Sequence, residues 1–491
     1  MKLSNVLSGV LVFKSEGDLD VDIKDITYSS NAAGKGSLFA ALKGYNADGH
    51  DFVKDAYMKG TRAFILSKNV NLPEDCTAIY VNDTRQALSK ISAAFYGHPS
   101  KSLTVIGITG TKGKTTVSTL LYELLNYLGE TPGLIGTRGV FYGKKHIPTD
   151  NTTPESLLMQ KYMHDMLRSG VKYVITEVSS QALLKGRVDD VDFDLAVFTN
   201  ITPDHIGNME HESFEDYLNC KAKLFGMAKK SLINIDDEHA DAIKSASAGT
   251  VKTFAVDEKA DYTAQNIKLL SKKGLYGSEF EFTVSGQKEK VIVPTPGKFS
   301  VYNALAVMAL VNELGLDVKK AAKKFKQLSV PGRMEKLKNT NDIDVIIDYA
   351  HNGISMESSL SALKSHKKGR IICVFGSVGD KTKSRRRELA LAVSKYADVA
   401  VITSDNPANE DPKAIIDEIA GFTDQKSCFT VTITDREKAI YYALNLAESG
   451  DTVFLAGKGD EDYQFVKGKK IPFSEREIVK RYFEAQKGEE N

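Results

Sequence analysis

The fold is decided by one stretch of sequence, LTVIGITGTKGKTTVSTLLYELL, which runs from Leu103 to Leu125. Its first residues form a short apolar run typical of a buried strand, and the leucines at its end recur at helical spacing. Between them lies the glycine-rich turn GTKGKTT. Such a turn between a strand and a helix exposes free backbone N–H groups at the positive end of the helix dipole. The stretch therefore predicts a phosphate-binding loop.

The residues of this loop are those that bind a nucleoside triphosphate. Lys114 supplies a positive charge for the outer phosphates, and the Thr115 hydroxyl is a candidate magnesium ligand. The strict pattern GxxxxGK[ST] would require glycine where Ile108 stands, so the loop is a variant of the common form. A phosphate loop alone does not distinguish a kinase, a motor, a GTPase or a ligase. That distinction must come from the rest of the chain.

Length and composition limit the possible classes of protein. A chain of 491 residues with 42% hydrophobic and 26% charged residues is typical of a soluble protein of several domains. Its formal net charge of +1 gives no electrostatic reason to expect a nucleic-acid or membrane partner. No apolar run reaches the roughly 18 residues of a membrane span. With four widely spaced cysteines and no CxxC pair, the sequence predicts a cytoplasmic protein with incidental thiols.

The pattern of strands and helices restarts twice along the chain. The polar segment that contains Pro99 precedes a fresh apolar strand, and a second break falls near LSVPGRME, after a helical segment that begins near Val301. The predicted domains are therefore 1–100, 101–330 and 331–491. Near-continuous apolar strands alternate with helices in the middle and last regions, which favours mostly parallel sheets. The predicted fold class is α/β, with a P-loop domain in the middle and a Rossmann-like domain at the end.

Polar residues follow several of these strands and are candidates for chemistry. Glu177 ends the strand YVITEV, where a carboxylate could hold magnesium, although an isolated glutamate at a strand end is usually just solvated. The segment FTNITPDHIG ends a strand and carries His205, which is more often a surface residue than a metal ligand. Lys221 in CKAKLF has the plain alternative of a solvated helical lysine. Each signal is weak when it is taken alone.

Taken in order, the motifs resemble the Mur ligase family. The succession is GITGTKGKTT, TEVSS, FTNITPDHIG, CKAKLF, PGKFSVYNALAV, VPGRME, IDYAHN, TSDNPA and GKGDEDYQ, and it spans nearly the whole chain. The resemblance implies an N-terminal domain that binds UDP, a central ATPase and a C-terminal domain that brings an amino acid. It further implies an ATP-dependent ligase of peptidoglycan precursor synthesis, which adds an amino acid to UDP-N-acetylmuramoyl-L-alanyl-D-glutamate through an acyl phosphate. A monomer without nucleic-acid or membrane partners is expected.

The resemblance also implies which residues bind ATP and magnesium. The ATP residues it implies are Gly110, Thr111, Lys112, Gly113, Lys114, Thr115, Thr116, Asn303, Arg333 and Asp348. The catalytic group it implies is Lys114, Glu177, His205 and Lys221, and the Mg²⁺ ligands are Thr115, Glu177, His205 and Lys221. Lys221 matches the lysine that the family carbamylates. Carbamylation would turn a cation that repels magnesium into a carboxylate that can approach it.

A second set of residues is implied for the nucleotide-linked peptide. On the uridine side these are Ser30, Tyr45, Asn46 and Ala47, and on the peptide and pyrophosphate side Asn151, Thr152, Thr153, Ser179 and Arg187. The chain departs from some relatives here, with SSN in place of DSR, EVSSQ in place of EVSSH, and Lys185 where some relatives have glutamine. These departures affect individual contacts and not the reaction.

The residues that the resemblance implies for binding the incoming amino acid point to L-lysine. They are Lys381, Asp405, Asn406, Pro407, Ala408, Gly457 and Glu461. Diaminopimelate-adding relatives carry DNPR, whose arginine clamps the distal carboxylate of diaminopimelate, whereas this chain has DNPA. Because L-lysine lacks that carboxylate, an alanine at this position suits L-lysine as the substrate better than an arginine would. Gly457 and Glu461 match diaminopimelate-adding relatives, so diaminopimelate and L-ornithine stay open, as do a folylpolyglutamate synthase-like ligase and a nucleotide-dependent switch protein.

Overall fold

The computed structural model describes residues 1–44, 47–203, 207, 211–272, 275–339, 341–366, 368–380 and 383–489. The chain divides into two compact units. The first unit contains Met1–Thr263 and Leu305–Asp317, and the second contains Ala264–Ala304 and Val318–Asn491. Each unit is built around its own sheets.

The first unit alternates strands and helices. Its strands are β1 (Val12–Glu16), β2 (Asp25–Thr27), β3 (Ser37–Ala40), β4 (Ala63–Leu66), β5 (Thr77–Val81), β6 (Thr104–Thr109), β7 (Pro132–Gly136), β8 (Gly139–Tyr142), β9 (Lys145–Ile147), β10 (Tyr173–Glu177), β11 (Phe193–Phe198), β12 (Ala228–Asn234), β13 (Thr250–Ala255) and β14 (Tyr262–Thr263). Its helices are α1 (Leu3–Val6), α2 (Val53–Met58), α3 (Thr84–Phe95), α4 (Lys114–Leu128), α5 (Ser156–Arg168), α6 (Ser180–Leu184), α7 (Phe214–Gly226) and α8 (Ala240–Ala246), with 3-10 turns at Ser30–Ala32, Gly49–Phe52 and Pro99–Ser102.

Two sheets form the first unit. The smaller has the order β1-β5-β4-β3-β2, with only β1 antiparallel to its neighbour. The larger has nine strands in the order β14-β13-β12-β11-β6-β10-β7-β8-β9. It is parallel from β14 to β7 and ends in an antiparallel β7-β8-β9 meander. The antiparallel extension was not among the predicted strands.

The order of the larger sheet positions the candidate site. Strands β11, β6 and β10 are adjacent and parallel, and almost every residue in them is buried. Their register pairs Glu177 with Ile108 and Phe198 with Thr109. The carboxyl ends of all three strands therefore meet at one edge, which is where ligands of open α/β sheets bind. The predicted strands LTVIGIT, KYVITEV and DLAVFTN are these three.

The second unit contains the remaining elements. Its strands are β15 (Gln265–Lys272), β16 (Leu275–Val284), β17 (Gln287–Val293), β18 (Glu335–Leu337), β19 (Asp344–Asp348), β20 (Ile371–Phe375), β21 (Val399–Ile402), β22 (Phe429–Thr432), β23 (Thr452–Ala456), β24 (Tyr463–Val466) and β25 (Lys469–Pro472). Helix α9 (Lys298–Glu313) contributes residues to both units, and the other helices are α10 (Val318–Phe325), α11 (Gly353–Lys364), α12 (Ser384–Tyr396), α13 (Pro412–Ala420), α14 (Arg436–Leu446) and α15 (Glu475–Glu489).

The main sheet of the second unit confirms the predicted Rossmann-like pattern. Its order is β18-β19-β23-β20-β21-β22, and every pair except β18 with β19 is parallel. The predicted strands DVIIDYA, RIICVFG, DVAVITS and DTVFLAG are β19, β20, β21 and β23. An antiparallel sheet, β15-β16-β17, and the β24-β25 hairpin complete the unit. The predicted α/β class is confirmed, whereas the domain boundaries stay a prediction.

Two further expectations concern the whole chain. Cys76, Cys220, Cys373 and Cys428 are all buried free thiols. Burial raises the pKa of the Cys76 and Cys428 thiols to about 11, so both stay protonated at neutral pH. Among the described residues, no helix combines the length and apolar character that a membrane crossing requires.

Candidate active site

The predicted phosphate loop lies between β6 and α4. It contains Gly110 with a φ of 149° and Gly113 with a φ of 89°, both of which favour glycine. A Cβ atom at Gly110 would overlap the side-chain oxygen of Thr199. The helix begins at Lys114, so the loop leads directly into a helix N-terminus. The turn therefore has the geometry that lets backbone N–H groups face an anion.

The end of β11 holds the loop in shape. The Thr199 hydroxyl lies 2.6 Å from the carbonyl oxygen of Lys112, to which it can donate. The side chain of Asn200 accepts from the Lys112 N–H at 3.0 Å and donates to its carbonyl at 3.1 Å. The Asn200 carbonyl accepts from the Thr111 N–H at 2.9 Å. The motif FTN, recognised in the sequence only as a strand end, thus stabilises the loop through hydrogen bonds to Thr111 and Lys112.

Glu177 lies at the end of β10, next to the loop, and only 1% of it is exposed. Its Oε2 accepts from the Thr115 hydroxyl at 2.8 Å and from the Thr137 hydroxyl at 3.0 Å. Its Oε1 accepts from the Thr137 N–H at 3.1 Å and from the Ser118 hydroxyl at 3.4 Å. A buried carboxylate needs such donors to satisfy its oxygens. Sequence reasoning missed Thr137 and Ser118.

The donor set fits the predicted magnesium site in part. Thr115 and Glu177 place a hydroxyl and a carboxylate 2.8 Å apart beside the phosphate loop, and both are oxygen ligands of the kind Mg²⁺ prefers. Thr115 is at the first turn of α4, as the sequence predicted. His205, the third predicted ligand, lies outside the described residues.

Two lysines approach the same carbonyl oxygen in this loop. The Lys114 ammonium donates to the Gly110 carbonyl at 2.7 Å, and the Lys221 ammonium donates to it at 3.2 Å. Lys221 projects from α7 and is 1% exposed. Its Nζ lies 4.5 Å from the centre of the Tyr217 ring. The structure therefore brings two of the predicted catalytic residues together, and both would be cations if unmodified.

Tyr217 is a part of this arrangement that sequence reasoning missed. It lies one helical turn before Lys221 on α7, so the two side chains share a face. Its hydroxyl is 3.1 Å from the Thr111 hydroxyl of the loop. The Ser213 hydroxyl caps the helix by accepting from the Asp216 N–H. The spacing of four residues between Tyr217 and Lys221 was the available signal.

Several of the residues predicted to bind the nucleotide-linked peptide form one cluster. The Thr153 hydroxyl donates to the backbone carbonyl of Glu177 at 2.8 Å and accepts from the Ser179 N–H at 3.0 Å. The Arg187 guanidinium donates to the Thr153 carbonyl at 3.0 Å. The Thr152 hydroxyl is 3.1 Å from the Thr137 hydroxyl, which contacts Glu177. This cluster therefore adjoins the predicted metal site.

The other predicted residues of that set are more dispersed. Asn151 is exposed and adjoins Thr152 in the chain. Ser30 begins a 3-10 turn, and its carbonyl accepts from the Lys59 ammonium at 2.8 Å. Ala47 is exposed, and its carbonyl accepts from the Gly44 N–H at 2.9 Å. Tyr45 and Asn46 lie outside the described residues.

The remaining predicted ATP residues belong to the second unit. The Arg333 guanidinium lies 4.3 Å from the centre of the Tyr349 ring, a cation–π contact. The buried Asp348 carboxylate accepts from the Met334 and Ala350 N–H groups and the Ser359 hydroxyl. Burial raises the pKa of Asp348, and the nearby Arg333 charge opposes this shift. Asn303 is buried on α9.

The residues predicted to bind the incoming amino acid come from two segments that contact each other. Asp405 is 3% exposed, and its carboxylate lies against Gly457, where a Cβ atom would be 2.6 Å from Oδ2. The Asn406 amide donates to the Glu461 carboxylate at 3.1 Å. The Ala408 N–H donates to the Phe465 carbonyl at 3.1 Å. Lys381 lies outside the described residues, and Pro407 lies between the two contacting residues.

Comparison with known proteins now identifies the family. Three family descriptions match the chain: "Mur ligase family, catalytic domain" at 22–96, "Mur ligase middle domain" at 108–311, and "Mur ligase, glutamate ligase domain" at 332–459. The UDP-N-acetylmuramoyl-L-alanyl-D-glutamate--2,6-diaminopimelate ligase of Caldanaerobacter subterraneus subsp. tengcongensis is 42% identical over 98% of both chains. The chain belongs to the Mur ligase family. The ligase of the same name from Clostridioides difficile is 40% identical over 98% of this Mur ligase and 99% of the relative.

A solved structure supports the same assignment. The structure of a UDP-N-acetylmuramoyl-L-alanyl-D-glutamate--2,6-diaminopimelate ligase matches this Mur ligase with a TM-score of 0.71, 26% identity and 99% coverage of each chain. The predicted membership in the family is thus confirmed, as is the three-part α/β fold that the resemblance implied. The roles of individual residues stay predictions.

The buried carboxylate of this Mur ligase provides the first test of those roles. We expect Glu177→Gln to lower kcat by about 100-fold and to raise the Mg²⁺ concentration needed for half-maximal rate, because a neutral amide binds a hard cation poorly. Steady-state rates across a Mg²⁺ titration measure both effects. The matched control is Glu123→Gln, on the exposed face of α4, which should change neither quantity. Wild-type rates and Mg²⁺ dependence in Glu177→Gln would remove the metal role.

Proposed function

We propose that this Mur ligase is an ATP-dependent enzyme that joins a diamino acid to UDP-N-acetylmuramoyl-L-alanyl-D-glutamate, in peptidoglycan precursor synthesis. The names of the relatives support the nucleotide substrate. The phosphate loop supports ATP as the energy source. The observation that carries the proposal is the meeting of this loop, the Glu177 carboxylate and Lys221 at one edge of the sheet. Monomeric state and cytoplasmic location stay predictions.

The reaction needs control of charge more than it needs an enzyme nucleophile. The free carboxylate of the substrate attacks the γ-phosphorus of ATP, the bond to ADP breaks, and an acyl phosphate forms. The amine of the incoming amino acid then attacks the acyl carbon, and the tetrahedral intermediate expels inorganic phosphate while the nitrogen loses a proton. In the first step two anions must approach each other. Fixed positive charge beside them is therefore the main catalytic requirement.

The residues of the loop region can meet that requirement. The Lys114 ammonium and the N–H groups at the start of α4 would bind phosphate oxygens in this proposal. Bound Mg²⁺ would neutralise phosphate charge, held by Thr115 and Glu177. The Glu177 carboxylate is fixed by four donors, so it needs little reorganisation on binding. Two of the residues proposed for the peptide adjoin Glu177, because the Thr153 hydroxyl donates to its backbone carbonyl and the Arg187 guanidinium donates to the Thr153 carbonyl.

The identity of the amino acid has two candidates. The named function of the relatives favours 2,6-diaminopimelate over the L-lysine that the sequence motif predicted. L-Lysine keeps one specific observation in its support, which is Ala408 at the position of the arginine in DNPR. A methyl group cannot bind the second carboxylate of diaminopimelate. Asp405 and Glu461 are carboxylates suited to an ammonium group, which both amino acids carry.

Release of inorganic phosphate tests the proposal and separates the candidates. The assay supplies ATP, Mg²⁺ and UDP-N-acetylmuramoyl-L-alanyl-D-glutamate, with meso-diaminopimelate, L-lysine or L-ornithine in parallel reactions. We expect release to require both the nucleotide peptide and an amino acid, and mass spectrometry to detect the amide product. A preference for L-lysine would select the Ala408 argument over the named function of the relatives.

Other outcomes would contradict the proposal itself. A nucleotide-dependent switch protein would hydrolyse ATP without any amino acid. A folylpolyglutamate synthase-like ligase would accept a folate and glutamate in place of the muramoyl peptide. The same assay with each component omitted distinguishes these classes.

A further inference from the structure

A buried lysine that no prediction included lies beneath the proposed amino-acid site. Lys458 directly follows Gly457, and its side chain is 0% exposed. Its Nζ lies 3.0 Å from Oε2 of Glu461, 3.1 Å from Oδ1 of Asn406 and 3.7 Å from Oδ1 of Asp405. All three partners are residues predicted to bind the amino acid. The lysine therefore contacts the charged and polar members of that set that the structure describes.

The contacts of Lys458 decide how Asn406 is oriented. Oδ1 of Asn406 accepts from the Lys458 ammonium and from the Phe465 N–H at 2.9 Å. With Oδ1 held between two donors, Nδ2 must face the other way, and it donates to Oε2 of Glu461 at 3.1 Å. An amide with its two ends fixed in this way cannot flip without losing hydrogen bonds. The lysine thus helps to fix the orientation of the Asn406 amide.

The same contacts leave part of Glu461 for a ligand. The Lys458 ammonium and the Asn406 amide both reach Oε2, and a carboxylate has a second oxygen with its own lone pairs. The Glu461 side chain is 19% exposed, whereas that of Asp405 is 4% exposed. Glu461 is thus the more accessible of the two carboxylates for the ammonium of an amino acid, and Oε1 is the oxygen that these two bonds do not use. Its direction depends on the two bonds to Oε2.

Lys458 also contributes positive charge to this cluster. Its ammonium lies 3.0 Å from the Glu461 carboxylate and 3.7 Å from that of Asp405, so one buried cation attracts both side chains. This attraction helps to hold the two carboxylates beside Asn406.

We infer that Lys458 is a positioning residue for the amino-acid substrate, which holds Asn406 and Glu461 in the geometry that receives its ammonium group. The inference rests on the proposed function. It predicts a defect confined to one substrate. Loss of the Lys458 ammonium should weaken binding of the amino acid, whereas ATP and the nucleotide peptide should bind as before.

The test compares Michaelis constants for the three substrates. In Lys458→Met, which keeps the length of the side chain and removes its charge, we expect the KM for the amino acid to rise at least tenfold. The KM values for ATP and the nucleotide peptide should stay within a factor of two. If this variant does not fold, Lys458→Gln, which keeps a donor amide, carries the same test. Circular dichroism and thermal unfolding establish the fold of each variant.

Lys470→Met is the matched control. The Lys470 ammonium lies 4.6 Å from the centre of the same Tyr463 ring that Lys458 approaches at 5.7 Å, but Lys470 is exposed on β25. It should leave all three KM values unchanged. An unchanged KM for the amino acid in the folded Lys458 variant would overturn the inference, and so would an equal rise in all three constants. Failure of the wild type to require an amino acid would instead contradict the proposed function.

Discussion

Replacement of Lys114 by alanine is expected to lower the rate of amide formation by about 1,000-fold, with little change in thermal stability. The side chain is only partly buried, and its ammonium is held by the Gly110 and Thr111 carbonyls at 2.7 and 3.2 Å. Neither bond is needed for the helix to form. The loss should therefore fall on the transition state, where charge on the transferred phosphoryl group is spread over its oxygens.

Single-turnover phosphate release measures this loss without interference from product dissociation. Lys112→Ala is a useful comparison, because Lys112 belongs to the same loop but contacts Asn200 and Thr199 through its backbone. The loss of rate in Lys112→Ala should be much smaller than in Lys114→Ala. If Lys114→Ala and Lys112→Ala were equally impaired, the effect would belong to loop structure and not to the ammonium of Lys114.

Much of this region could be predicted from the sequence because its signals are local. The strand, the glycines and the helix N-terminus of the phosphate loop are consecutive, and their hydrophobic pattern suffices to place them. The polar strand ends at Glu177 and Thr199 could be expected at the same edge, since parallel strands bring their carboxyl ends together. The resemblance to the family added the predicted roles of Lys221 and Asp405, which no local pattern supplies.

Other parts could not be predicted because their partners are distant in the chain. Thr137 contacts Glu177 only because β7 is adjacent to β10, and that strand order is not encoded in either segment. Lys458 is recognisable as important only when Asn406 and Asp405 are seen around its ammonium. In both cases an ordinary residue type acquires a role from tertiary contacts.

The antiparallel sheet of the second unit is a different case, because a signal was present. Phe280 and Phe282 alternate with polar residues in β16 and are fully buried. The two residues that follow β16, Ser285 and Gly286, have φ values of 49° and 77°. Positive φ at both positions is the requirement of the tight turn that joins two twisted strands. Alternation followed by Ser-Gly could have predicted this hairpin.

The second large effect is expected at Lys221. A buried ammonium that shares the Gly110 carbonyl with Lys114 would repel both Lys114 and a bound magnesium ion. Reaction of the neutral amine with CO₂ forms a carbamate and releases a proton, which replaces that repulsion by attraction. We propose that the active enzyme carries this carbamate. Lys221→Ala should then lower kcat by about 100-fold or more.

Chemical rescue distinguishes a missing carboxylate from a damaged structure. Removal of the Lys221 side chain leaves a space near Tyr217, and a small carboxylic acid such as acetate can supply the lost negative charge there. We expect acetate to restore part of the activity of Lys221→Ala and none of the activity of Lys114→Ala, which lacks a cation. Lys223→Ala, on the exposed face of α7, should show wild-type activity and no response.

Labelled carbon dioxide tests the carbamate directly. Wild-type protein equilibrated with ¹³CO₂ should give a carbamate carbonyl signal in its ¹³C spectrum that Lys221→Ala lacks and Lys223→Ala keeps. The signal should persist at lower CO₂ pressure when Mg²⁺ is present, because a cation beside the carbamate favours its formation. Full activity of Lys221→Ala without any added acid would contradict the role. A missing signal together with a large loss of activity would instead assign Lys221 a role as a cation.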